Sequence, residues 1–288
     1  MSQAQNSYYV PHGSHWPIVG SIGLFTTMMG ASLWLNDSDI GKYVMFAGLA
    51  VILVMMFGWF GTVITENEKG YYNDQVDKSF RWGMSWFIFS EVMFFAAFFG
   101  ALFYARHYSV PWLGGHGAKF FTNAVLWNGF EAHWPTNGPA HVGGAFESME
   151  AWGLPAINTA ILLTSGVTVT IAHHALKAGN RTLLALGLLA TIALGFTFVG
   201  MQGIEYHEAY TAMNMTLSTG IYGSTFFMLT GFHGAHVTIG AIMLTVILLR
   251  VLRGHFTPEK HFAFEAVAWY WHFVDVVWLG LFIFVYWI

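Results

Sequence analysis

None of the 288 residues is cysteine. A disulfide framework, a thiolate-held metal and a thiol nucleophile are therefore all excluded. Charge is nearly as scarce: Asp, Glu, Lys and Arg make up 9% of the chain, against about a quarter in a soluble globular domain. The net charge of -4 is scattered, and no run of basic residues offers a surface to nucleic acid. The opening MSQAQNSYYVPHGSHWP lacks a positive segment followed by a short apolar core. The expectation is that no signal peptide is cleaved and that the first spanning helix directs insertion.

What fills the space is apolar: hydrophobic residues make up 56%, which reads as an all-α, polytopic membrane protein. Seven runs are long enough to span. Trp16 to Leu35 is helix one, closed by the polar run Asn36 to Asp39, and Gly41 to Thr65 is helix two. A hydrophilic connection, Glu66 to Lys78, leads to helix three at Arg81 to Arg106. His107 to Trp152 is a long loop rich in Gly, Trp and His, broken by Pro111, Pro135 and Pro139, and too long for mere connection. Leu154 to Leu176, Thr182 to about Tyr206 (its end marked by Glu205 and Glu208), Leu217 to about Leu249 and Phe262 to Ile288 supply helices four to seven. Residues 1–288 read as one domain, with helices one and two at 16–65 and helices three to seven at 80–288. Small residues four apart, Ala96 with Gly100 and Gly231 with Ala235, predict close helix approach.

Basic residues alternate between loops. Lys69, Lys78, Arg81, Lys177, Arg181, Arg250, Arg253 and Lys260 share one face, whereas Lys42, Arg106 and Lys119 fall on the other. The positive-inside bias puts the first face and the N-terminus in the cytoplasm, and the long loop and C-terminus outside.

The chemistry worth weighing sits where polar groups interrupt apolar helices. Between Arg81 and Arg106 lie twenty-four residues, nearly all apolar or small, which rise about 36 Å as a helix. Near their midpoint is Glu91, among Phe87, Phe89, Phe94 and Phe95. A carboxylate loses its hydration there, so the expectation is a neutral acid hydrogen-bonded to another helix, serving either proton handling or subunit contact, or as glue between helices. Helix seven carries Glu265, Trp269, His272 and Asp275 at spacings of four, three and three. They form one stripe, the expected seam with another helix or another subunit, with a proton relay as the second reading. Fourteen histidines raise the question of haem or copper, yet neither the adjacent His173 and His174 nor His233 and His236, three apart on helix six, identifies such a site. Paired Glu-x-x-His motifs of the di-iron kind do not occur. On the basic face, Arg250, Arg253, His255 and His261 bracket the loop before helix seven, where phospholipid headgroups lie. Trp59 and Glu66 could border the same zone.

Trp16-Pro17, Phe89 to Phe95, Ala172-His173-His174, Tyr222 to Phe227, Thr230 to Val237, Phe264 to Ala266 and Trp269 to Trp278 together resemble subunit III of haem-copper cytochrome c oxidase, in the same order and over nearly the whole chain. The resemblance implies helices one and two standing apart from helices three to seven around a lipid-filled, V-shaped cleft. It implies a non-catalytic subunit that binds no haem or copper, packs on subunit I with subunit II in the same complex, supports proton uptake, protects the oxygen-reduction centre and offers oxygen a lipid route. Haems and copper belong to those partners, and structural phospholipids to this chain. Carried over by position, Glu91 matches the carboxyl inside helix three, and Trp59, Glu66, His233, Arg250, His255 and His261 match positions lining or bordering the lipid. Tyr71 and Tyr72 stand where relatives often place a histidine, and Thr65 replaces a basic neighbour of Glu66. In the 107–152 loop, Trp134 to Gly138 matches the family, whereas most of Gly115 to His133 reads as an insertion, expected to contact a periplasmic partner.

The reading is a membrane subunit of a proton-pumping terminal oxidase, in a bacterial inner membrane. The equivalent subunit of a quinol oxidase or a nitric-oxide-reductase homologue stays open, as does an independent proton or ion transporter.

Overall fold

In the computed structural model, residues 8–10 and 13–287 are described; the start of the polar arm and Ile288 lie outside them. The described residues are helical with no strand, and seven helices are long and apolar enough to cross a membrane. They are α1 Trp16–Leu35, α2 Asp39–Glu68, α3 Asp74–Tyr104, α4 Leu154–Lys177, α5 Arg181–Thr211, α6 Gly220–Leu252 and α7 Phe262–Leu281. The chain divides into two compact units, Met1–Trp82 and Gly83–Ile288.

Several helices outrun the apolar windows that announce them. A helix need not stop where the hydrocarbon does, because water and side chains satisfy its ends. So α3 starts at Asp74, where Asp77 and Arg81 pair at 2.7 Å one turn apart, and continues through a wider turn, Ala105–Ser109, to Leu113. Likewise α5 runs past Glu205 and Glu208 to Thr211. Helix seven closes in a wide turn at Phe282–Trp287.

In the first unit, α1 and α2 are antiparallel and meet along glycine. Gly20, Gly23, Thr27 and Gly30 are the buried residues of α1, and Gly41 and Gly48 those of α2. A Cβ on Gly30 would run into the Met45 backbone, one on Gly41 into the backbone at Trp34, and one on Gly48 into the backbone at Thr27. Absent side chains let the two backbones touch, which in lipid is the main source of helix association. At the membrane end of α2, Glu66 is clasped: Tyr9 donates to its Oε1 at 3.1 Å and Tyr72 to its Oε2 at 2.7 Å. Burial and the bond to the carboxylate together hold the Tyr72 phenol well above its ordinary range. A proton held more tightly in the folded state means that this contribution is intact at neutral pH and lost only as pH rises through the raised value.

The second unit buries the faces of α4 to α7 that meet. Leu162, Val169, Leu188, Phe198, Phe226, Val237, Trp271, Val274 and Trp278 are fully enclosed. The Trp271 indole lies against Gly195 of α5 and Gly240 of α6 and donates from Nε1 to Ser165 Oγ of α4 at 2.9 Å. Trp278 repeats the device one level away, donating to Thr159 Oγ1 at 2.9 Å. The rest of α3 reaches this core through aromatic rings: Phe94 meets Phe232 at 5.0 Å, and Phe95 meets Phe273 at 6.1 Å. The close approach expected at Ala96 and Gly100 is not made. Gly100 is exposed, and a Cβ added there would meet nothing within 4 Å, because α3 contacts its neighbours by long side chains. A Cβ on Gly231 would lie 3.4 Å from the Tyr206 hydroxyl, an ordinary contact distance.

Within the connection before α4, the two halves behave differently. Thr136 and Asn137 are buried, and Asn137 Nδ2 donates to the Val142 and Gly144 carbonyls at 3.0 and 2.7 Å. Phe120, Phe121, Val125 and Leu126 stay exposed, although Asn123 Nδ2 ties their turn to the Leu113, Trp127 and Phe130 carbonyls.

Two outcomes follow from the first unit. Gly30→Val forces apart two backbones that have no flexible side chain to yield, so it should cost about 1–3 kcal/mol or more, read as a lowered thermal midpoint in detergent. Glu66→Ala should release the clasped arm, raising chymotryptic cleavage after Tyr8 and Tyr9 several-fold while cleavage elsewhere is unchanged.

Candidate functional site

Glu91 sits halfway along α3, and its partner comes from α6. Its Oε2 is 2.9 Å from His236 Nε2. The opposite ring nitrogen, Nδ1, is 2.6 Å from the Phe232 carbonyl. A carbonyl only accepts, so Nδ1 carries a proton. Nε2 is then either a lone pair facing a protonated carboxyl or the second N–H of an imidazolium facing a carboxylate. Both arrangements place one shared proton between Glu91 and His236. The rings of Phe94 and Phe95, at 5.9 and 5.0 Å from the imidazole, and Tyr270 stacked at 6.3 Å flank it, so that both side chains of the pair are largely but not wholly covered. The arrangement brings a carboxyl and an imidazole into direct contact inside a membrane span, where an isolated charge is costly.

His233 and His236 serve different neighbours, since three residues on a helix leave side chains about 60° apart. His233 is fully buried, its Nε2 3.1 Å from the Val274 carbonyl, with Phe198 and Trp278 around it. That corrects its expected place on the lipid: enclosed between α5, α6 and α7, it cannot reach a headgroup. Arg250 and His261 are also almost closed off, at 8% and 9% exposure, and the Arg250 guanidinium lies 4.5 Å from the centre of the Phe256 ring. Of the positions carried over as lipid-facing, Trp59 is exposed, and Glu66 and His255 are half-buried.

The polar stripe of α7 faces α4. His272 Nδ1 is 3.5 Å from Asp275 Oδ2 and its Nε2 3.3 Å from Thr170 Oγ1. The Asp275 carboxyl lies against Gly166, where a Cβ would meet Oδ2. Glu265 lies 3.6 Å from both His173 and His261. Glu265, His272 and Asp275 thus each meet α4 of the same chain, while 46% of the His272 side chain stays exposed.

Two buried groups carried no weight in the sequence reading. Glu205, taken as a helix end, is fully buried and accepts from the Tyr286 hydroxyl at 2.6 Å. Gln202 donates from Nε2 to the Thr230 carbonyl at 2.8 Å, across from α5 to α6. A usable signal existed for Glu205: the residues that follow it, Tyr206 to Met213, include no Gly or Pro.

The family model for cytochrome c oxidase subunit III matches residues 6–288. The chain is similar to cytochrome c oxidase subunit 3 of Coturnix japonica, 41% identical over 288 residues that cover 100% of this chain and 99% of the relative. It is 42% identical to cytochrome c oxidase subunit 3 of Marchantia polymorpha over 289 residues, covering 100% and 98%. It is 40% identical to that of Squalus acanthias, covering 100% and 99%. With a match that runs from end to end of both partners, the chain belongs to the cytochrome c oxidase subunit III family.

Proposed function

We propose that this chain is the membrane subunit of a proton-pumping terminal oxidase that houses none of the redox centres and works by supporting the catalytic subunit beside it. The match over residues 6–288 carries that reading. The relatives' names specify cytochrome c, which favours cytochrome c over quinol as electron donor and an oxidase subunit over an independent transporter. Subunit I is the main partner and subunit II shares the complex.

Glu91 and His236 take the proton-handling role. Their support is the 2.9 Å contact deep in α3 and the single proton it must share. His272 and Asp275, with one polar group half-exposed and the other buried, form a second place where a proton could rest. Phospholipid is held by Trp59, Glu66 and His255, which retain exposure. The outward Phe120, Phe121, Val125 and Leu126 give the 107–152 loop a surface for a further partner. The basic residues gathered in alternate loops support a cytoplasm-side N-terminus in a bacterial inner membrane. A quail, a liverwort and a dogfish supply the named relatives, which favours an organellar respiratory membrane as the second reading.

Affinity purification through a tag on this chain tests the assignment: the expected product is a haem-containing complex, and a lone protein overturns it. Glu91→Gln should assemble with an unchanged haem spectrum and slow proton uptake several-fold, measured with a pH-indicating dye during turnover. Loss of assembly in that variant would make Glu91 a structural tie.

A further inference from the structure

His173, His261 and Glu265 form a cluster that the proposed function leaves unused, although the sequence places His261 beside the lipid and Glu265 on the polar stripe of α7. Each offers one ligand atom, and the three atoms lie within 4.8 Å of one another. Glu265 Oε1 is 3.6 Å from His173 Nε2 and 3.6 Å from His261 Nε2. These separations are too long for hydrogen bonds. Consistently, both Nε2 atoms are buried with no hydrogen-bond partner among the described residues. Two buried imidazole nitrogens that face one carboxylate oxygen at 3.6 Å without a hydrogen bond leave room for a third body between them.

The spacing identifies that body. Two ligands at about 2.0–2.1 Å from a tetrahedral zinc ion stand about 3.3–3.4 Å apart. The two histidine-to-glutamate distances come within about 0.3 Å of that, and the third side of the triangle is at most 4.8 Å. Two imidazoles with one carboxylate suit a borderline ion such as Zn²⁺; calcium and magnesium prefer oxygen donors alone. We infer that His173, His261 and Glu265 bind a zinc-class divalent cation, with water as fourth ligand, joining the end of α4 to the start of α7. Zn²⁺ has no redox chemistry, so the chain remains without a redox centre.

The local backbone presets the geometry. His261 precedes α7 and its carbonyl accepts from the backbone N–H groups of Phe264 and Glu265 at 2.9 and 3.2 Å, which holds His261 and Glu265 one turn apart. His173 comes from the last turns of α4, with the Phe264 ring 5.4 Å from its own as an apolar wall. About a quarter of the His173 side chain is exposed, which gives an ion and its water a way in. The exposed Lys177 and Lys260 near the site in sequence oppose a second positive charge, so the ion is exchangeable.

The test uses the assembled oxidase, stripped with a chelator and re-equilibrated with zinc chloride. Metal analysis should find one more zinc ion per complex in the wild type than in His173→Gln, His261→Asn or Glu265→Gln. Equal counts would overturn the site and leave a bridging water in its place. Should those variants fail to assemble, the wild type alone decides: zinc, and not magnesium, should slow carbethoxylation of His173 at least several-fold, mapped by peptide mass spectrometry. An unprotected His173 rejects the proposal, whatever the purification shows about the oxidase.

Discussion

A polar group inside hydrocarbon has only protein to bond to, and the packing of α4 to α7 meets most of this demand, the Asn158 amide being an exception. Trp271 shows how packing and bonding are solved together. Its ring needs two missing side chains, at Gly195 and Gly240, and its N–H needs Ser165. Only one register of α7 against three other helices provides both. Trp278 with Thr159, His233 with the Val274 carbonyl, Gln202 with the Thr230 carbonyl and Tyr286 with Glu205 impose the same register again at other depths. Since lipid tails solvate leucine as well as a neighbouring helix does, these specific fits supply what a hydrophobic effect supplies in water.

The seven spans were legible because a membrane helix announces itself by length and apolarity, the least ambiguous of sequence signals. Their ends were not. Asp74 to Lys78 reads as connection by composition but forms the first turns of α3, since polar residues make good helix once outside the hydrocarbon. Spacing of small residues misled at Gly100 for a different reason. Periodicity tells which residues share a face, never what that face meets, and Ala96 with Gly100 lie on the side of α3 away from its aromatic contacts. Gly23 with Gly30 on α1 and Gly41 with Gly48 on α2, seven apart on each helix, do meet backbone.

The candidate site was half legible. Glu91 stood out as a lone carboxyl among phenylalanines, but its partner lies 145 positions away on α6, and nothing within one sequence couples the two. His233 and His236 looked like a pair because they are close in the chain; their offset of about 60° sends one into the core and the other to α3. The cation cluster left a trace in His261 and Glu265, four apart at a helix start, while its third member, on α4, becomes visible only in three dimensions.

The distribution of buried polar groups also bears on what kind of subunit this is. Among the described residues, the wholly buried ones concentrate on α4 to α7, whereas α2 and α3 are covered with exposed apolar side chains such as Phe57, Phe60, Trp82, Trp86 and Phe89. Helices that have satisfied one another need no further partner; helices that present bare Phe and Trp over most of their length are finished by lipid or by another chain. The Glu91 and His236 pair lies where those two conditions meet, carried by an open helix and bonded to a closed one. A contact at that boundary can be influenced from outside the chain while its geometry is fixed from within.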